Sequence, residues 1–169
     1  MWSFFKRKRK TERSDAKVAH ESPATWSPQF TWTKRPEVHP SVRLESHLKL
    51  LSKHYPLWID DDYRFVIVGR IRLPRGYDCR EANLLIELPS DYPVTPPGVG
   101  DHRVYVWPQL QFHGRALRDQ HPETTPGFHT PGFGPWAWWC YQTIRWIPSR
   151  DDLVRFVEMV RADMINPCT

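Results

Sequence analysis

Four prolines crowd into nine residues, Pro89, Pro93, Pro96 and Pro97, directly behind an alternating apolar run. Proline has no amide donor, fixes φ near −65° and restricts the residue before it. Neither a helix nor a regular strand can cross 89–97, so a stiff irregular turn must separate whatever flanks it. Upstream, residues 65–73 alternate with period two. Phe65, Ile67, Ile71 and Leu73 are expected on one face, with Arg70 and Arg72 on the other. Residues 83–88 repeat the pattern, with Leu84, Ile86 and Leu88 inward. Beyond the prolines, Val104 and Val106 mark a third strand. Short connections between such strands predict an antiparallel meander.

Helical periodicity brackets this sheet. Residues 41–54 place Leu44, Leu48 and Leu51 on one face, with Ser41 as N-cap after Pro40 and Pro56 as the stop. Residues 150–164 carry a second stripe, Leu153, Phe156, Val157, Val160 and Met164. Ser149 is its expected N-cap, with Asp152 at N3 and Pro167 as the terminator. Between 107 and 146 no long periodic stretch occurs, and Gly and Pro recur throughout. Trp136, Trp138, Trp139 and Trp146 nevertheless predict order there, and a long ordered loop is usually functional. Helix, antiparallel strands, irregular loop and helix together predict an α+β fold.

The 169 residues suit one domain with a tail. Residues 1–39 read as a basic, Pro/Ser-rich tail and linker, and 40–169 as the domain. Trp26, Phe30 and Trp32 are atypical of a free linker and are read as an extended strap packed back onto the domain. The formal net charge of +5 sits in residues 1–17, which hold seven Lys/Arg and two Asp/Glu; the remainder is balanced. The run Lys6-Arg7-Lys8-Arg9-Lys10 beside Trp2, Phe4 and Phe5 fits a solvated, disordered arm, a localisation signal in a eukaryotic source, or contact with an anionic membrane surface or nucleic acid. No apolar h-region follows those charges, so it is not a secretory signal. No run approaches the ~20 apolar residues of a membrane span. Three scattered cysteines exclude a disulfide scaffold.

Cys140 is the candidate reactive group. It stands in Trp136-Ala-Trp-Trp-Cys140-Tyr141, inside the Gly/Pro-rich segment and shortly before the last helix. Two readings fit: a nucleophile activated by nearby positive charge, with His129 and Arg145 close in sequence, or a cysteine packed among Trp side chains. His113, His121, His129 and Cys140 match no compact zinc pattern, so no metal is assigned. A Cys140–His129 hydrolase is a weaker alternative. No nucleophile-elbow Gly-x-Ser-x-Gly is present.

The run Pro89-Ser-Asp-Tyr92-Pro93-Val-Thr-Pro96-Pro97 resembles the ubiquitin-conjugating enzyme (E2) superfamily. That family places Tyr-Pro and Pro-Pro between two strands of its meander. The rest is collinear: an opening helix, a long loop with the catalytic cysteine, then Trp-x-Pro, here Trp146-Ile-Pro148, and a helix followed by Asn166-Pro167. The resemblance covers about 41–167. It implies a UBC-like fold without the family's last helices, and Cys140 as the thioester-forming nucleophile. It implies His129, Pro131 and Gly132 near the thiol, in a segment whose backbone amides could serve an oxyanion, and Tyr141 as part of the wall. Where the family has His-Pro-Asn, this chain has His129-Thr-Pro-Gly132, and the family's acidic residue past Asn-Pro is absent. The Trp-rich run resembles divergent bacterial members from ubiquitin-like conjugation operons, some linked to antiviral defence. The implied role is a carrier that takes a ubiquitin-like protein from an E1-like activating enzyme and passes it to an amine or hydroxyl on a protein target. It needs no cofactor, and a cytoplasmic location goes with it. A non-catalytic E2-like or RWD-like binding module is the alternative.

Overall fold

The structure, a computed structural model, describes residues 40–121, 135–140 and 145–169. Helix α1 spans Val42–Leu51. The Ser41 hydroxyl accepts from the Leu44 amide at 3.1 Å, satisfying one of the first-turn donors. Leu44, Leu48 and Leu51 are buried, as the spacing requires. The helix stops three residues short of its expected end. Ser52, Lys53 and His54 close as tight turns instead, because the chain must turn away before Pro56.

The strands are β1 (Leu57–Ile59), β2 (Phe65–Arg72), β3 (Glu81–Glu87), β4 (Val104–Trp107), β5 (Gln111–Phe112), β6 (Arg115–Ala116), β7 (Gln120–His121) and β8 (Ala137–Trp139). Six of them form one antiparallel sheet in the order β1-β2-β3-β4-β8-β7, and β5 and β6 pair as a separate ribbon. The meander β2-β3-β4 is thus present, with β8 continuing it. The last four strands are two or three residues long, too short for periodicity to reveal.

One expectation fails in β2. Phe65 and Ile67 do not share a face with Ile71 and Leu73. The register shifts between Val68 and Ile71, so one face carries Val66, Val68 and Ile71 and the other Phe65 and Ile67. This is a β-bulge: an added residue re-aims every side chain beyond it. Arg70 sits there with φ +57°, its amide donating to Asn83 Oδ1 at 3.0 Å.

Helix α2 spans Leu153–Asp163. Its N-cap is Asp152, whose carboxylate accepts from the Arg155 amide at 2.8 Å, and not Ser149. Residues 148–150 form a turn whose hydrogen bonds are made by Arg150 and Asp151, which delays the helix. All five stripe residues are buried. Both helices cover one face of the sheet, where Leu48, Leu84, Ile86, Val106, Trp139 and Phe156 share one core. The opposite face carries a second, smaller cluster of Phe65, Ile67, Leu85, Tyr105 and Trp136. The result is the α+β, two-helix, antiparallel-sheet architecture the sequence predicted.

Candidate active site

The Pro-rich turn is clamped from two sides. Tyr92 is buried, and its hydroxyl meets His47 Nδ1 on α1 at 2.7 Å. The Trp146 indole donates to the Pro93 carbonyl at 2.8 Å and packs against the Tyr92 ring at 6.0 Å. Pro97 is buried and Pro96 half-buried. Arg43 on α1 donates to the Pro148 carbonyl. Tyr92, Pro93, Trp146 and Pro148, singled out from sequence alone, therefore form one framework joining α1, the turn and the approach to α2.

Asp151, which no sequence pattern marked, completes that framework. It is buried, and its carboxylate accepts from the Ile147 amide at 2.7 Å and from Arg150 Nε at 3.2 Å. The Ile147 amide, ahead of Arg150, holds its carboxyl below the usual range. Burial lowers the His47 imidazole, Arg43 adds to that, and the Asp152 charge opposes it.

Cys140 follows β8 directly. Ala137 and Trp139 on β8 point into the helix-side core, and Trp139 donates its indole N–H to Asp163 Oδ2 on α2 at 3.0 Å. Burial, chiefly, raises the Asp163 carboxyl, and the Asp119 charge adds to it. Trp138 takes the other face, its ring under the Arg103 guanidinium at 4.6 Å and beside His121 at 4.8 Å. This alternation anchors the strand that delivers Cys140, which is half-buried and free of a disulfide.

The pairing of Gln120 with Trp139 and His121 with Trp138 extends one step further, because the Cys140 amide donates to the Asp119 carbonyl at 2.7 Å. Asp119 thus lies directly across the ladder from Cys140. The Asp119 carboxylate also accepts from the Cys168 amide at 2.9 Å, and the Arg118 amide donates to the Cys168 carbonyl at 2.9 Å. The segment after α2 is therefore fastened beside the residue opposite Cys140. Sequence reasoning missed both Asp119 and Cys168, because only strand pairing reveals them.

The third cysteine differs. Cys79 is half-buried, and burial first, then the Asp78 charge, pushes its thiol up to about 11. At neutral pH it stays protonated and unreactive. His129, Pro131, Gly132 and Tyr141 lie outside the described residues. Among the described residues, no group of three or more His, Cys, Asp or Glu side chains could hold a metal ion. No helix among them is long and apolar enough to cross a membrane.

An antiparallel sheet with both helices on one face, and a Tyr-Pro turn locked to a Trp-x-Pro approach, defines a UBC-like α+β protein. The model of the prokaryotic E2 family E matches residues 43–166, and the chain belongs to that family. No curated protein and no solved structure matches it.

Proposed function

We propose that this E2-family protein carries a ubiquitin-like protein as a thioester on Cys140. The supporting observation is the placement of that thiol. Cys140 is half-buried and follows directly on a strand locked by Trp139 and Asp163, and in sequence it stands ahead of the Trp146–Pro148 framework. A rigid mount for a partly exposed cysteine is what a nucleophile needs and a packing residue does not.

In the charging step the Cys140 thiolate attacks the thioester carbonyl held on an E1-like activating enzyme. The C–S bond to that enzyme breaks, its cysteine leaves as thiolate, and the acyl group stays on Cys140. In discharge an amine of the protein target attacks the new thioester. The C–N bond forms, the Cys140–acyl bond breaks, and the ammonium proton must be taken up. In this reading Asp119, whose backbone carbonyl accepts from the Cys140 amide, is assigned that role. Both steps pass through an oxyanion. The backbone amides of His129 and Gly132 serve it in this reading, while Pro131, without an N–H, shapes the turn and Tyr141 forms a wall. No metal or organic cofactor takes part in either step. A cytoplasmic setting and a bacterial conjugation operon, including an antiviral one, fit this chemistry, as does tail contact with an anionic membrane surface or nucleic acid.

Replacing the nucleophile tests the assignment. Cys140→Ser should turn a thiol-labile adduct into an ester that resists reductant and yields to mild base. An adduct on Cys140→Ser that reductant still releases would place the carrier thiol elsewhere.

A further inference from the structure

The second face of the sheet is buried, yet among the described residues both helices lie on the other face. Leu85 is 0% exposed, Ile67 1%, Tyr105 3%, Trp136 3% and Phe65 7%. Among the described residues, the partly buried apolar side chains packed against this cluster are Trp58, Trp107 and Trp138, all from the sheet itself, and Arg64 lies over the Phe65 ring at its edge. An antiparallel sheet with one bare face leaves that face wet. Side chains in the plane of a sheet shield their neighbours' flanks and leave their outer ends open. Central residues at 0–3% therefore require a third layer, and that layer must come from 1–39, 122–134 or 141–144.

We propose that the segment 26–32 of this chain is that layer, laid in extended form across the sheet face opposite the helices. Its sequence is Trp26-Ser-Pro28-Gln-Phe30-Thr-Trp32, strictly alternating apolar and polar. In extended form every apolar side chain points one way and every polar one the other. Six residue steps span about 20 Å. The buried cluster and its flanking Trp side chains reach from β1 to β8, four strand spacings or about 19 Å. Eight residue steps lead from Trp32 to Pro40, enough for a link of up to about 28 Å to the start of α1. The other candidates fit less well. Residues 141–144 are too few to cross five strands. Residues 122–134 join the adjacent strands β7 and β8, so they leave and re-enter at one end of the sheet, and their Phe128 and Phe133 are not set in an alternating run. With this layer the folded unit begins near residue 26, not 40. The basic run Lys6–Lys10 is then tethered to the face away from the helices.

A photoreactive probe in the full-length chain tests the placement. Phe30→p-benzoylphenylalanine, irradiated and digested, should cross-link within one chain to peptides containing Ile67, Leu85 or Tyr105. No cross-link, cross-links to α1 or α2, or cross-links only between two copies would overturn the proposal. So would a probe at Phe133 that reaches these peptides when the one at Phe30 does not. A stability measurement provides a second arm. The triple variant Trp26→Ser, Phe30→Ser, Trp32→Ser should unfold at lower urea concentration, while deletion of 1–17 should leave the midpoint unchanged. An unshifted triple variant would also overturn it.

Discussion

Trp139→Phe should loosen the mount of Cys140 by an amount the structure sets. Trp139 is 1% exposed and its indole N–H reaches Asp163 Oδ2 at 3.0 Å. Phenylalanine keeps an aromatic ring but removes the donor and one fused ring. A hydrogen bond to a charged group contributes about 1.5–3 kcal/mol; because the Asp163 carboxylate is half-buried and screened by solvent, about 1 kcal/mol is the appropriate figure. The lost ring removes roughly 40 Å² of buried apolar surface, about 1 kcal/mol, and the void it leaves adds to this. The sum is about 2–3 kcal/mol, read as a lower midpoint in urea unfolding at unchanged m-value. Trp138→Phe, at a side chain that is only half-buried, should cost less than about 1 kcal/mol. A double-mutant cycle of Trp139→Phe with Asp163→Asn isolates the hydrogen bond and should give a coupling of at least about 0.5 kcal/mol. Equal costs at 138 and 139, or no coupling to Asp163, would refute the alternation that places Cys140.

Three further outcomes follow from the site. At pH 8, a small alkylating reagent should modify Cys140 and exposed Cys168 in the folded protein and spare Cys79, whose thiol burial has pushed to about 11; modification of Cys79 at a comparable rate, read by peptide mass, would contradict that. His47 is lowered by burial, so the unfolded chain binds the proton the folded one refuses. Stability from this site is present above about pH 6.5 and lost as pH falls through the folded value, and His47→Gln should flatten that part of the profile, whereas an unchanged slope would exclude His47. Asp119→Asn should slow discharge to free lysine by about tenfold or more while charging proceeds, since general-base groups commonly contribute factors of about 10² or more; loss of charging with normal discharge would instead make Asp119 a purely structural residue.

Much of the fold was legible because its signals are local. The stripes of α1 and α2, the inward Leu84, Ile86 and Leu88, and the interruption at 89–97 follow from spacing and from proline chemistry, and the structure keeps each of them. What escaped depends on non-local geometry or on a single inserted residue. The bulge between Val68 and Ile71 moves Phe65 and Ile67 to the second face, and nothing in a period-two count distinguishes a shifted strand from an unshifted one. The helix start moved from Ser149 to Asp152 because two adjacent acids compete, Asp151 holding the preceding turn and Asp152 the cap. In the site, Tyr92, Pro93, Trp146 and Pro148 could be named beforehand because their motif is contiguous. Asp119 and Cys168 could not, since only pairing across the ladder brings residue 119 opposite 140 and fastens 168 beside it.

The central claim is that Cys140 carries an acyl group. The most direct measurement is intact mass after mixing the full-length protein with an E1-like activating enzyme, its ubiquitin-like protein and ATP, with and without a thiol reductant. The account expects one adduct of the ubiquitin-like protein's mass less water on the wild type, released by reductant and absent from Cys140→Ala. No adduct while the activating enzyme demonstrably charges itself, or an adduct that persists on Cys140→Ala, would contradict it.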